Sequence, residues 1–90
     1  MTEQQNETLL EFPCDFPIKA MGESSADFDG IVVSIVRKHA DDINEGAVAS
    51  KQSSGGKFTS VTVTIQATSK AQLDAIYQEL SSHEMVKYVL

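Results

Sequence analysis

The side chains that could do chemistry are few and widely spaced. The chain has one cysteine, Cys14, and two histidines, His39 and His83. A single cysteine excludes an intrachain disulfide and any Cys-x-x-Cys redox or metal site. No serine, histidine and carboxylate set has a recognisable triad spacing, and no cofactor motif is present. We therefore expect no catalytic residue, no metal site and no bound cofactor, and we expect that the chain is not an enzyme.

Two further features resemble functional motifs but have simpler structural interpretations. A phosphate loop needs a preceding strand, wider glycine spacing, a hydroxyl residue after the lysine and a following helix, so we predict that Gly55-Gly56-Lys57 is a hairpin turn. His39 and His83 fall at or near predicted helix C-termini, where a histidine interacts favourably with the helix dipole and the last carbonyls. We predict a structural role for both.

One segment is a candidate small-molecule site, because it precedes a predicted helix whose first backbone amides are exposed. Its residues are Met21, Gly22, Glu23, Ser24 and Ser25. The same residues also fit a structural role, with Gly22 in a turn and the serines as helix caps, and both interpretations stay open. Asp27 and Asp29 just beyond favour the helix dipole and oppose a phosphate.

Composition and charge exclude several classes of protein. The chain has 90 residues, of which 41% are hydrophobic and 22% charged, as in an ordinary globular protein. No apolar run approaches the roughly 18 residues of a membrane helix, and the polar start lacks a secretory signal. A net charge of −6 repels polyphosphate backbones, which disfavours nucleic acid. We expect a cytoplasmic protein with a disordered tail at residues 1–8 and a single domain at 9–90.

Residues 57–68 give the clearest structural pattern. Val61, Val63 and Ile65 alternate with hydroxyl and amide side chains, which predicts a strand with one apolar and one polar face. A strand buried on both faces would instead be continuously apolar, so the sheet is covered on one side only. The polar side is free to contact water, a partner or a ligand.

The helices are predicted from apolar residues that recur every three to four positions. Phe28, Ile31, Val32, Ile35 and Val36 form one face of a first helix. Ser24 and Asp27 have capping-box spacing at its start, and residues 41–46 end it. Gly30 inside this helix suggests close packing against a neighbour.

A second helix follows residue 69, with Ser69 and Gln72 as its capping box and Thr68 as the alternative cap. Its apolar stripe includes Leu73 and Leu80. The other strands are predicted at residues 16–21, 47–53 and 85–90.

The resulting order is strand, helix, strand, strand, helix, strand. Right-handed crossovers place both helices on the same face of the sheet. We predict an α+β ferredoxin-like sandwich, with a four-stranded antiparallel sheet in one layer and two helices in the other.

The uncovered sheet face is the candidate interaction surface, for a protein partner or for self-association. The residues expected on it are Lys19, Phe58, Ser60, Thr62, Thr64 and Gln66. The alternative is an RNA-binding module that uses this face, but RNA recognition relies on stacking aromatics, and only Phe58 of the third strand could stack.

Several short segments of the chain resemble a known family in order and spacing. They include Leu9-Leu10-Glu11-Phe12-Pro13, Met21-Gly22, Lys38-His39-Ala40 and the final Val89-Leu90. These segments resemble the YbeD-like family of small bacterial proteins of unknown function. That family's fold resembles the ACT domain, a small-molecule sensing module of amino-acid metabolism.

The resemblance implies a non-catalytic, ACT-like regulatory or binding module that acts through protein contacts or a small ligand. It places the usual ligand-loop glycine of ACT domains at Gly22. It also implies a link to lipoate metabolism, through the gene neighbourhood of some family members.

Overall fold

Four antiparallel strands form one sheet in the computed structural model, in the order β2 (Val48–Gln52), β3 (Phe58–Ala67), β1 (Cys14–Glu23) and β4 (Val86–Val89). The structure describes residues 11–41, 43 and 45–90. The predicted tail at residues 1–8 lies outside these residues, as do Asp42 and Asn44 in the predicted end of the first helix.

The elements follow the predicted order, which confirms the ferredoxin-like fold. They are β1 (Cys14–Glu23), α1 (Phe28–Arg37), a short 3-10 helix (Glu45–Ala47), β2 (Val48–Gln52), β3 (Phe58–Ala67), α2 (Lys70–Ser82) and β4 (Val86–Val89). Neither α-helix, in the part of the chain that the structure describes, has the length and hydropathy needed to cross a membrane.

The ladder between β1 and β3 is the longest pairing in the sheet. It runs without interruption from the pair Cys14 and Ala67 to the pair Glu23 and Phe58. Directly opposed residues point to the same side of an antiparallel sheet, so Ile18 and Val63 lie together beneath the helices. Both are fully buried, and the predicted core face of β3 is confirmed.

Helix α1 packs its apolar stripe on this core face. Phe28, Val32, Ile35 and Val36 are buried, as their spacing predicts. The predicted cap is wrong, because the N-cap residue is Asp27 and it makes no side-chain capping bond. Ser24 lies too early in the chain, where its amide still donates to the carbonyl of Lys57.

Helix α2 begins at the predicted cap. The Ser69 hydroxyl accepts a hydrogen bond from the backbone amide of Gln72 at 3.0 Å. The Gln72 side chain accepts from the Thr68 amide at 2.7 Å and donates to the His39 carbonyl at 2.8 Å. Gln72 therefore fixes the start of α2 and also joins it to the segment that follows α1.

The Gly55-Gly56 turn confirms the hairpin prediction. Both glycines have positive φ angles, of 88° and 74°, which side-chain-bearing residues rarely adopt. The turn is closed by a hydrogen bond from the Ser53 amide to the Phe58 carbonyl at 2.8 Å. Lys57 therefore belongs to a β-hairpin and not to a strand-to-helix phosphate loop.

Gly30 is exposed on α1, and a Cβ at this position would meet no atom within 4 Å. The close packing suggested by the sequence is therefore wrong. Gly30 therefore only destabilises the helix, through the conformational entropy that a glycine loses on folding.

We predict that Gly30→Ala stabilises the protein by roughly 0.5–1 kcal/mol, because alanine restricts the unfolded chain and favours the helix. Urea unfolding followed by circular dichroism measures the change. A loss of stability would show that the helix backbone at residue 30 is closely approached by another group.

Candidate functional site

The face of the sheet opposite the helices is not covered by any element in the described ranges. We call it the open face. Its residues are Asp15, Pro17, Lys19, Met21 and Glu23 of β1, Ala49 and Lys51 of β2, Phe58, Ser60, Thr62, Thr64 and Gln66 of β3, and Tyr88 of β4. All thirteen are half-buried or exposed, whereas the alternating residues of β3 are buried. The structure thus brings the predicted surface residues of β1 and β3 together on one face.

Strand pairing arranges the centre of the open face in two rows. In one row, Lys51 lies opposite Ser60, and Ser60 lies opposite Met21. In the next row, Ala49 lies opposite Thr62, and Thr62 lies opposite Lys19. Two lysines therefore flank a pair of hydroxyl side chains on the central strand.

Tyr88 is the largest exposed side chain on this face, with 52% of its surface accessible. Its hydroxyl lies 3.0 Å from the Met21 sulfur, so the two side chains pack together across β1 and β4. The sequence pattern alone does not place Tyr88 on the open face, because a register shift between Met21 and Gly22 on β1 changes the alternation of β4.

The open face and its rim carry most of the chain's positive charge. Four of the seven basic residues lie there: Lys19, Lys51, Lys57 and Lys87. The Lys57 ammonium is 5.8 Å from the centroid of the Phe58 ring, and Lys87 is 3.9 Å from a carboxylate oxygen of Glu23. No carboxylate among the described residues is within 4 Å of the Lys19 or Lys51 ammonium group.

The helix layer has the opposite character. Its described acidic residues are Asp27, Asp29, Asp41, Asp74, Glu79 and Glu84. Its described basic residues are Arg37, Lys38 and Lys70. Lys70 is paired with Asp74 at 3.0 Å, and Lys38 is paired with Glu79. The sheet side carries the carboxylates of Asp15 and Glu23 beside its four lysines. The two layers of the sandwich therefore differ in net charge, with an acidic helix side and a basic sheet side.

The predicted ligand segment does not form one surface. Met21, Gly22 and Glu23 lie within β1, and only Ser24 and Ser25 lie in the loop before α1. Met21 and Glu23 face the open side, whereas Gly22 is buried on the helix side. The Ser24 hydroxyl is 2.7 Å from that of Thr59 and is engaged in the fold. Ligand binding by this segment stays a prediction.

Gly22 is a close-packing residue and not the turn residue that the sequence suggested. A Cβ at this position would overlap the Met85 carbonyl oxygen and would lie 2.6 Å from the Phe28 ring. Phe28 is fully buried, so its ring occupies the space above the glycine. The absence of a side chain at residue 22 allows α1 and the start of β4 to approach β1.

We predict that Gly22→Ala destabilises the fold by roughly 3 kcal/mol or more, because the backbone carbonyl of Met85 cannot move aside cheaply. Urea unfolding measures the change. Gly30→Ala is the matched control, since the same substitution is expected to have the opposite sign there. Equal effects at the two positions would contradict the packing described for Gly22.

Glu79 of α2 joins the two helices through its carboxylate. One oxygen is 2.8 Å from His39 Nε2, and the other accepts a hydrogen bond from the Lys38 ammonium group. These contacts, with Lys38 first, lower the pKa of Glu79 below its ordinary value of 4.5. His39 therefore has a structural role, as predicted, but its ring bonds a carboxylate and not the helix carbonyls.

We predict that the Glu79 link stabilises the protein above about pH 4.5 and that this contribution is lost as the pH falls through the lowered pKa. Glu79→Gln should lower the thermal unfolding midpoint at pH 7, and its midpoint should converge on that of the parent near pH 3. Glu84→Gln, an exposed carboxylate in no described ion pair, is the control. A constant difference between Glu79→Gln and the parent from pH 7 to pH 3 would contradict the assignment.

A groove of about 520 Å³ runs between the outer sides of α1 and α2. Gly30, Ser34, Lys38, Glu79 and His83 are among its lining residues. Lys38 and Glu79 pair with each other across it, and the His83 ring accepts a hydrogen bond from the Met85 amide at 3.1 Å. Lys38, Glu79 and His83, three of the side chains that could hold a charged ligand in this groove, are thus already engaged.

Cys14 is half-buried in β1 and carries a free thiol. Within the described ranges, no three cysteine, histidine or carboxylate side chains lie close enough to bind a metal ion. The open face is therefore the main candidate for function. The chain is thus a small two-layer α+β domain of the ferredoxin-like type, with one face of its sheet accessible.

Comparison with known proteins gives the family. Residues 7–90 match a family described as "Protein of unknown function (DUF493)". A UPF0250 protein of Paraburkholderia phytofirmans is 51% identical over 85 residues, which cover 94% of this chain and 96% of the relative. A UPF0250 protein of Chromobacterium violaceum is 49% identical over 90 residues, covering both chains completely. The chain belongs to this family of bacterial proteins of unknown function, which confirms the YbeD-like resemblance.

Proposed function

We propose that this chain is a non-catalytic, regulatory protein-binding module and that its open face contacts the partner. The observation that carries the proposal is an uncovered sheet face that combines partly accessible aromatic and thioether side chains with two lysines that have no described ionic partner. Interface cores are enriched in tyrosine, phenylalanine and methionine relative to other surfaces. Tyr88, Met21 and Phe58 supply those residue types here.

Protein contact is favoured over a small-molecule site at residues 21–25. An ACT-type ligand would need space at Gly22, and the Phe28 ring and the Met85 carbonyl occupy that space. The Ser24 hydroxyl in this segment is bonded to that of Thr59. A ligand here would therefore have to displace groups of the fold, whereas the side chains of the open face are already accessible.

RNA binding on the same face is the second candidate. Phe58 and Tyr88 favour it, because aromatic side chains can stack on bases. Glu23 lies on β1 directly opposite Phe58, on the strand between the two aromatics. A carboxylate there repels the phosphate that would link two stacked nucleotides, which is why we prefer a protein partner.

The proposal is tested by placing the photo-crosslinking residue p-benzoylphenylalanine at Thr62 in the bacterial cell. We expect a protein adduct at Thr62 and none at Gln78, an exposed control position on α2. Mass spectrometry identifies the adduct. Enzymes of lipoate metabolism are the first proteins to look for, given the gene neighbourhood of YbeD-like relatives.

Two outcomes would contradict the proposal. If positions on the open face give no protein adduct while Gln78 does, the helix layer is the contact surface. If Thr62 crosslinks only to nucleic acid, the RNA-binding candidate replaces the protein-binding one.

A further inference from the structure

We infer that the partner presents an acidic segment to the open face, and that Lys19 and Lys51 recognise its carboxylates. This inference rests on the proposed function and names the chemistry of the partner. Lys19 on β1 and Lys51 on β2 are exposed, and both project from the side of the sheet away from the helices. Neither has a carboxylate within 4 Å among the described residues.

The spacing of these groups suits an extended acidic peptide. Lys19 and Lys51 lie on strands separated by β3 and are offset by two residues along it, so their backbones are roughly 12 Å apart. Carboxylates at positions i and i+2 of an extended chain are about 7 Å apart, within reach of two flexible lysine side chains. Ser60 and Thr62 lie between the lysines with small side chains, and the Ser60 hydroxyl donates to the Lys51 carbonyl at 3.4 Å.

A second copy of this chain fits the open face poorly. A two-fold contact centred on Lys19 and Lys51 would bring these lysines of one protomer against those of the other, and like charges in contact are destabilising. The open face of one copy could instead meet the acidic helix layer of another. That contact is heterologous and would propagate into filaments unless its rotation happened to close a ring.

Charge complementarity therefore favours a different protein with an acidic surface. The whole chain carries a net charge of −6 and therefore repels an acidic partner at long range. Binding must then depend on local contacts within about 8 Å, the screening length at physiological ionic strength. A local basic face on an acidic protein selects partners whose carboxylates dock at that face and not elsewhere.

The test uses a fluorescent peptide of ten residues in which glutamate alternates with serine, and fluorescence anisotropy measures its binding to the full chain. We expect Lys19→Gln combined with Lys51→Gln to weaken binding roughly tenfold, as the loss of two exposed ion pairs implies. Arg37→Gln combined with Lys70→Gln is the control. It makes the same change in net charge on the helix layer, and we expect less than a twofold effect.

The inference is overturned if the peptide does not bind, if both double variants weaken binding equally, or if an oligouridine of ten nucleotides binds more tightly than the peptide. Concentration-dependent self-association that is lost in Lys19→Gln with Lys51→Gln would also overturn it, since the occupant would then be a second copy.

The Thr62 crosslink separates this inference from the proposed function. A protein adduct that persists unchanged in Lys19→Glu with Lys51→Glu leaves the protein-binding function in place and removes the acidic partner. Loss of the adduct in that variant, but not in Arg37→Glu with Lys70→Glu, supports both.

Discussion

The uninterrupted ladder between β1 and β3 is the constraint on which the rest of the structure depends. Its register places Ile18, Ala20, Val61 and Val63 on one side of the sheet, where all four are fully buried. A slip of one residue would move this apolar set into water and bring the hydroxyl residues of β3 under the helices. The same register that builds the core therefore also determines which side chains form the open face. The register of one strand pair therefore determines both the stability of the core and the chemistry of the open face.

Much of this fold was predictable from the sequence because its signals are local. The alternation in β3, the apolar stripes of both helices and the Ser69 cap each depend on residues a few positions apart. The errors lie where distant parts of the chain meet. Gly22 was predicted to end the first strand, but its role depends on Phe28 and Met85. Ser24 was predicted to cap α1, but its hydroxyl bonds Thr59, 35 residues away in sequence.

The candidate site was predictable in part for the same reason. Strand alternation gave the β1 and β3 residues of the open face, including Lys19 and Thr62. Lys51 could be placed there only once the pairing of β2 was known, and Tyr88 only once the register shift beside β4 was known. The difference in charge between the two layers is likewise invisible in a net charge of −6. It appears only when the fold assigns each lysine to a layer, and it then suggests a basic binding face on an acidic protein.

One face of the sheet builds the core, and we propose that the other contacts a partner in the cell. Lysine reactivity tests this division of the two faces most directly. Intact cells and the purified chain are acetylated briefly, and mass spectrometry compares the modification of Lys19 and Lys51 with that of Lys70, an exposed lysine on α2. We expect Lys19 and Lys51 to be protected in cells relative to the purified chain, whereas Lys70 reacts equally in both. Equal reactivity of all three lysines in cells and in isolation would contradict a partner on the open face.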